Sequence, residues 1–148
     1  MKAFLPLCLL LLLAAACCHD KGDVAPRPSL LGKWHCDKDS IVVYKDGYVA
    51  ASSTQYFGPH VRVTANSWTD SLTTNRVEYH TYTRQVDTLV FSTGFVINGG
   101  VSDYIPPTYP TKLTIVELTP HRLHLRASRD VQAATGVYQN VLNRYFSR

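Results

Sequence analysis

From residue 30 onward, apolar and polar residues alternate in short runs separated by turn signals. In the stretch 122–128, Leu123, Leu125 and Ala127 share one parity and His124, Arg126 and Ser128 the other. That is the two-residue period of a half-buried strand. The same reading predicts strands over 31–36, 40–45, 48–56, 60–68, 76–85, 87–97, 112–118 and 137–146. Asp46-Gly47 is a strong two-residue hairpin turn, and turns also fall at Val86-Asp87, Asn98-Gly99-Gly100 and Thr119-Pro120-His121. Pro106, Pro107 and Pro110 make 102–111 a loop or an edge, and 130–136 suits one short helical turn. Many short strands at regular spacing predict an all-β fold, an antiparallel meander closing into a barrel of about eight strands.

The chain before residue 30 reads differently. After Lys2, residues 3–16 are apolar except for Pro6, with an unbroken Leu9-Leu10-Leu11-Leu12-Leu13 at the centre. This is shorter than the roughly 18 to 20 apolar residues of a spanning helix and suits the core of an export signal. Leu13-Ala14-Ala15-Ala16-Cys17 resembles the bacterial lipobox, with Ala14 where that motif usually carries Leu. The resemblance implies a signal peptide over 1–16, cleavage after Ala16 and lipid attachment at Cys17. Cys18 offers a second frame, with the bulkier Cys17 before the cut, and plain secretion is the other alternative. Two or more acyl chains hold a protein stably on a bilayer, at about 0.8 kcal/mol per buried methylene. The expected location is therefore the bacterial cell envelope, with the outer membrane first among its membranes and either the periplasmic or the surface face possible. Residues 17–29 are polar and proline-bearing, without periodicity, and read as a flexible tether to a domain over 30–148.

Composition supports strands over helices. Tyr occurs nine times, Val and Thr abound, and Glu appears only at Glu78 and Glu117. The 45% hydrophobic content is raised by the signal segment; without it the value is roughly 40%, ordinary for a globular domain. The formal net charge is +4, of which Lys2 leaves with the signal. No run of Lys and Arg exists, and alternation splits His121-Arg122-Leu123-His124-Leu125-Arg126 between two faces, so no nucleic-acid partner is expected. With Cys17 lipidated, only Cys18 and Cys36 could pair; Cys36 shares parity with Trp34 and reads as a small buried hydrophobe.

Gly32-Lys33-Trp34 resembles the Gly-x-Trp signature of lipocalins. In that family the Trp closes one barrel end beneath an Arg from the last segment, a part for which Arg144 and Arg148 are candidates. Bacterial lipocalin-like lipoproteins share such an opening together with a Lys-Asp-Gly hairpin, here Tyr44-Lys45-Asp46-Gly47-Tyr48. They also share a late hairpin, here Ile115-Val116-Glu117-Leu118-Thr119-Pro120-His121-Arg122-Leu123-His124-Leu125, and an aromatic, basic end, here Tyr145-Phe146-Ser147-Arg148. Ser102-Asp103-Tyr104 is only a poor match to the second lipocalin signature. The resemblance implies a membrane-anchored, non-enzymatic lipoprotein that binds a small apolar molecule or lipid. The alternative is a structural or protein-interaction module with a filled core, docking through the loop 104–110.

No catalytic, metal or cofactor motif stands out. There is no Gly-x-Ser-x-Gly elbow, no His-Glu-x-x-His and no phosphate-cradling glycine loop. His35 and Cys36 are adjacent and so point to opposite faces of a strand, as do His121 and His124. Glu78, His80, Tyr82 and Arg84 share one strand face. The expectation is that this row is the solvent side, with Val77 and Tyr79 toward the core. Trp68, Tyr79, Tyr82, Phe91, Phe95 and Tyr104 are candidates to line a cavity or fill the core. Ligand identity and oligomeric state are not legible. For the anchor, radiolabelled palmitate is expected to enter the wild-type chain and to be lost in Cys17→Ser, read by autoradiography of the membrane fraction.

Overall fold

A computed structural model describes residues 28–56, 58, 60–73, 76–94 and 111–148. The signal segment, the tether as far as residue 27, the Asn98-Gly99-Gly100 turn and the 104–110 loop lie outside the described residues. Nine strands are present and no helix among those residues. They are β1 (Gly32–Lys45), β2 (Tyr48–Tyr56), β3 (His60–Val63), β4 (Ser67–Thr73), β5 (Arg76–Gln85), β6 (Thr88–Phe91), β7 (Lys112–Leu118), β8 (Arg122–Ala133) and β9 (Gly136–Ser147).

Every pairing is antiparallel, and β1 pairs with β9 to close the ring β1-β3-β4-β5-β6-β7-β8-β9. This is the expected all-β meander, an eight-stranded barrel with β2 as one extra strand. The extra strand has a simple origin. β3 pairs with the first residues of β1, from Gly32↔Val63 to His35↔His60, and β2 pairs with the rest, from Lys38↔Tyr56 to Lys45↔Tyr48. Both lie along the same arm of one long hairpin, broken in the sequence at Gly58-Pro59. Asp46 and Gly47, with φ of 52° and 82°, make the two-residue turn at its tip.

The lower end of the barrel carries Leu30, the turns at 64–66, 86–87 and 119–121, and the C-terminus. The upper end carries the β1–β2 and β8–β9 turns. β8 pairs with β7 only as far as Arg126 but with β9 up to Ala133↔Gly136. Above the barrel, the sheet therefore continues as four strands in the order β2-β1-β9-β8.

The lower half is packed solid. Trp34, Trp68, Phe146, Leu89, Leu113, Leu123 and Leu125 are fully buried, each side chain contributing about 1.5–3 kcal/mol or more by leaving water. Trp68 meets Phe146 and Phe91 edge-on, with ring centroids 5.5 and 5.7 Å apart. Arg148, rather than Arg144, covers Trp34, its guanidinium 4.0 Å from the ring centroid. It donates hydrogen bonds to the carbonyls of Leu31, Ser29 and Pro120, while Trp34 Nε1 donates to Leu30 O at 2.8 Å. One side chain thus ties the start of the barrel, the C-terminal residue and the β7–β8 turn to the same tryptophan.

Several expected boundaries shift, each for a local reason. The runs 31–36 and 40–45 are one strand, because a bulge between Cys36 and Lys38 absorbs the break in parity. The run 60–68 splits in two, since Thr64 N donates to Ser67 O and turns the chain between β3 and β4. Of the run 87–97, the strand among the described residues is β6, whose ladder with β5 stops at Tyr82↔Phe91; 95–97 lie outside those residues. No helical turn forms over 130–136; β8 runs on to Ala133 because β9 pairs with it throughout. Gly32 sits at φ +129°, and a Cβ there would lie 3.1 Å from Arg148 Nη1. Gly32→Ala is expected to cost about 1–3 kcal/mol, read as a lower urea midpoint with an unchanged slope.

Candidate binding site in the barrel interior

The middle of the barrel interior is charged. Asp39 on β1 stands directly opposite Arg144 on β9. Arg144 Nε donates to both carboxylate oxygens, at 3.1 and 3.2 Å. Asp70 on β4 reaches the same guanidinium from across the barrel, its Oδ2 3.7 Å from Nη1. The Cys36 thiol donates to Asp39 Oδ1 at 3.6 Å, and Arg144 also lies over the Phe146 ring. All four polar side chains are buried.

Charge and burial act against each other here. Burial alone would draw the Arg144 pKa down, but the Asp39 and Asp70 carboxylates outweigh it and hold the guanidinium above its ordinary value. Burial pushes the Cys36 thiol well up, and the neighbouring Asp39 carboxylate adds to the shift. Cys36 is therefore a free, protonated thiol in a dry site rather than a nucleophile.

The belt continues onto β5, where the sequence expectation is overturned for Glu78, His80 and Tyr82, though Arg84 is exposed as expected. Trp68 pairs with His80 and Asp70 with Glu78, and residues directly opposite in a sheet share a face. Because Trp68 is fully buried, His80 comes inside with it, only 6% exposed. Tyr82 is also buried, its hydroxyl donating to Thr64 O at 2.7 Å. Burial raises the pKa of that phenol, against a lowering by Arg84. Val77 and Tyr79 point out instead, 58% and 68% exposed. His80 Nδ1 lies 2.9 Å from Thr93 Oγ1, and Nε2 lies 3.7 Å from Glu78 Oε2. Asn140, on β9 above Arg144, is buried too. The interior therefore gathers Asp39, Asp70, Glu78, His80, Asn140 and Arg144, an excess of acid over base.

Of the aromatic candidates, Trp68, Tyr82 and Phe91 are interior, Tyr79 is on the outside, and Phe95 and Tyr104 lie outside the described residues. His124 stacks on Tyr145 at 4.3 Å and bonds to Asn143 on the outer face; His121 sits exposed in the lower turn. Among the described residues, no three His, Cys, Asp or Glu side chains are grouped as metal ligands. An outer concavity of about 440 Å³ between β5 and β6 is lined by Asn66, Thr81, Tyr82, Thr83, Val90, Phe91 and Ser92, none of them charged. Asp39, Asp70 and Arg144 were missed as a group by sequence reasoning. Only the shared parity of Trp68 and Asp70 hinted that an acid would face inward.

Comparison of the chain with family models, with curated proteins and with solved structures finds no match in any of the three. Removing the single base of the triad should be severe. Arg144→Met is expected to cost about 3–5 kcal/mol, since it leaves two buried carboxylates without a counter-charge. Asp39→Asn added to that variant should cost less than it does alone, a coupling measurable by a urea double-mutant cycle.

Proposed function

We propose that the protein is a membrane-anchored lipoprotein of the bacterial envelope, held through lipid on Cys17. In this reading its lipocalin-like barrel binds a small, largely apolar molecule or lipid from the upper end. The observation that carries the binding reading is the acidic belt inside the barrel. Asp70 is 1% exposed, and its Oδ1 has no hydrogen-bond donor among the described residues. A buried carboxylate oxygen left undonated is costly, and a ligand head that donates an N–H or O–H would relieve that cost. Above it, Ile41, Val43, Leu142 and Tyr138 belong to the apolar core, and in this reading the rest of such a molecule packs against them.

The lipocalin resemblance is supported by the lower end, where Gly32, Trp34 and Arg148 assemble as that family's opening implies. The reading is non-enzymatic: Cys36 is a protonated thiol sealed in the core, and His80 is held between Thr93 and Glu78. The second reading, a structural or protein-interaction module without a ligand, is favoured by one observation. The whole lower half is filled by Trp34, Trp68, Phe91 and Phe146.

Native mass spectrometry of the full chain extracted in mild detergent separates the two. The binding reading expects an added mass that is released on unfolding. It also expects at least about tenfold weaker retention in Glu78→Gln or Asp70→Asn, the loss of one charged hydrogen bond being worth about 1.5–3 kcal/mol. A bare protein mass, with no uptake of a fluorescent lipid probe, would establish the filled module.

A further inference from the structure

The outer wall at the lower end of β1, β3, β4 and β5 carries two rows of side chains that the barrel interior does not use. Register sets Lys33, Arg62, Thr69 and Tyr79 opposite one another in turn, with His35, His60, Ser71 and Val77 in the row above. Residues directly opposite share a face, and all eight point outward, exposed or half-buried. No Asp or Glu stands in either row. The next outward residue along β1 is an acid, Asp37, and it accepts a hydrogen bond from Ser147 Oγ at 2.7 Å. Among the described residues, no carboxylate lies within ion-pair distance of Lys33 or Arg62.

Two features set this wall apart from an ordinary solvated one. Like charges directly opposite are destabilising, yet Lys33 stands against Arg62, and the His35 and His60 rings beside them lie with centroids 5.4 Å apart. Next to them is a concavity of about 320 Å³, lined by Lys33, His60, Val61, Arg62 and Ser71. An anion seated there would turn the repulsion into attraction. At the other end of the same rows, Val77 and Tyr79 present an aliphatic group and an aromatic ring to solvent. A tyrosine suits a membrane interface, its ring apolar and its hydroxyl wet. Cations on one side with exposed apolar groups on the other make a face that lies on anionic lipid.

We propose that this wall docks on a bilayer of anionic phospholipid, with a headgroup phosphate between Lys33 and Arg62 and with Val77 and Tyr79 in the interface. The lower row is one step above Gly32↔Val63, where the chain enters the barrel, so the tether leaves the domain beside this face. An acidic protein surface matches the cations alone. A lipid surface matches the cations, the exposed apolar groups and the place of entry together. This docking rests on the membrane-anchored reading of the chain, and it adds the face that the domain sets on its bilayer.

Fluorophores on Val77→Cys, in the patch, and on Val116→Cys, on the far wall, test this in the full chain carrying Cys18→Ser. Both valines are exposed and Cys36 is buried. The chain is placed on vesicles of phosphatidylcholine, alone or mixed with phosphatidylglycerol. Only with phosphatidylglycerol should the label at 77 be shielded from acrylamide, with the label at 116 open throughout. High salt should reopen 77. Lys33→Gln with Arg62→Gln should lower the docked-to-undocked ratio about fivefold for each cation removed. The urea midpoint should not fall, because a like-charge pair is lost. Equal shielding at 77 and 116, the same shielding on both vesicles, or shielding that survives salt or the double variant overturns the proposal. Shielding by polyglutamate in place of vesicles would mark an acidic protein partner and overturns it too. A chain that does not float with phosphatidylcholine overturns the lipid anchor instead, and the label at 77 on phosphatidylglycerol still decides the docking face.

Discussion

The barrel closes where β1 lies against β9, and the ion pair of Asp39 with Arg144 sits within that seam. Its existence depends on one extra residue. Before the bulge, Trp34 and Cys36 face inward; after it, Asp39, Ile41 and Val43 do. An unbroken alternation would carry Lys38 inward toward Arg144, placing two cations in a dry interior. The bulge replaces that repulsion with a paired hydrogen bond, and it also bends β1 as a closing strand requires. Asp70 then reaches Arg144 from β4, so the charge that closes the seam also braces the opposite wall.

Such a core is not the most stable choice available. Removing ions from water costs several kcal/mol each, and well-packed apolar residues in their place often match or exceed a buried ion pair. What the belt supplies is selectivity of arrangement. Only a register that opposes Asp39 and Arg144 satisfies both, whereas an all-apolar wall would tolerate slippage along β1 and β9. The packed lower half does not need this help, because Trp34, Trp68 and Phe146 interlock by shape, and Arg148 fixes the end from outside.

Much of the fold was legible in the sequence, and the limits are instructive. Hairpin turns such as Asp46-Gly47 are local chemistry, and the alternation of Leu123, Leu125 and Ala127 is local periodicity, so both could be read from neighbours alone. Motif resemblance pointed to an Arg of the last segment over Trp34, but the choice of Arg148 over Arg144 came only with the structure. The interior belt was not, because Glu78, His80 and Tyr82 alternate with Val77, Tyr79 and Thr81. On that strand either face looks acceptable as the core, and polarity favours the wrong one. The decision comes from a different strand, where Trp68 is too large to leave outside and its register carries His80 with it. The Asp39 position was hidden for a related reason: the bulge reverses parity mid-strand, and no single-strand pattern reports that.

The placement of the ends gives these parts a common geometry. The chain enters the domain at the lower end, where Leu30 is buried and Ser29 and Leu31 are gripped by Arg148. A lipid on Cys17 would lie about 12 residues upstream, a reach of at most roughly 40 Å. With such an anchor, the packed, closed end would be the one tethered toward a bilayer. The upper end, with the four-strand extension, is the one free to face away, and the acidic belt lies on that side of the aromatic core. A tether at the opposite end would crowd the strands that rise above the barrel. Attachment at the closed end would instead leave them clear, with the Trp34 and Arg148 clamp nearest the anchor.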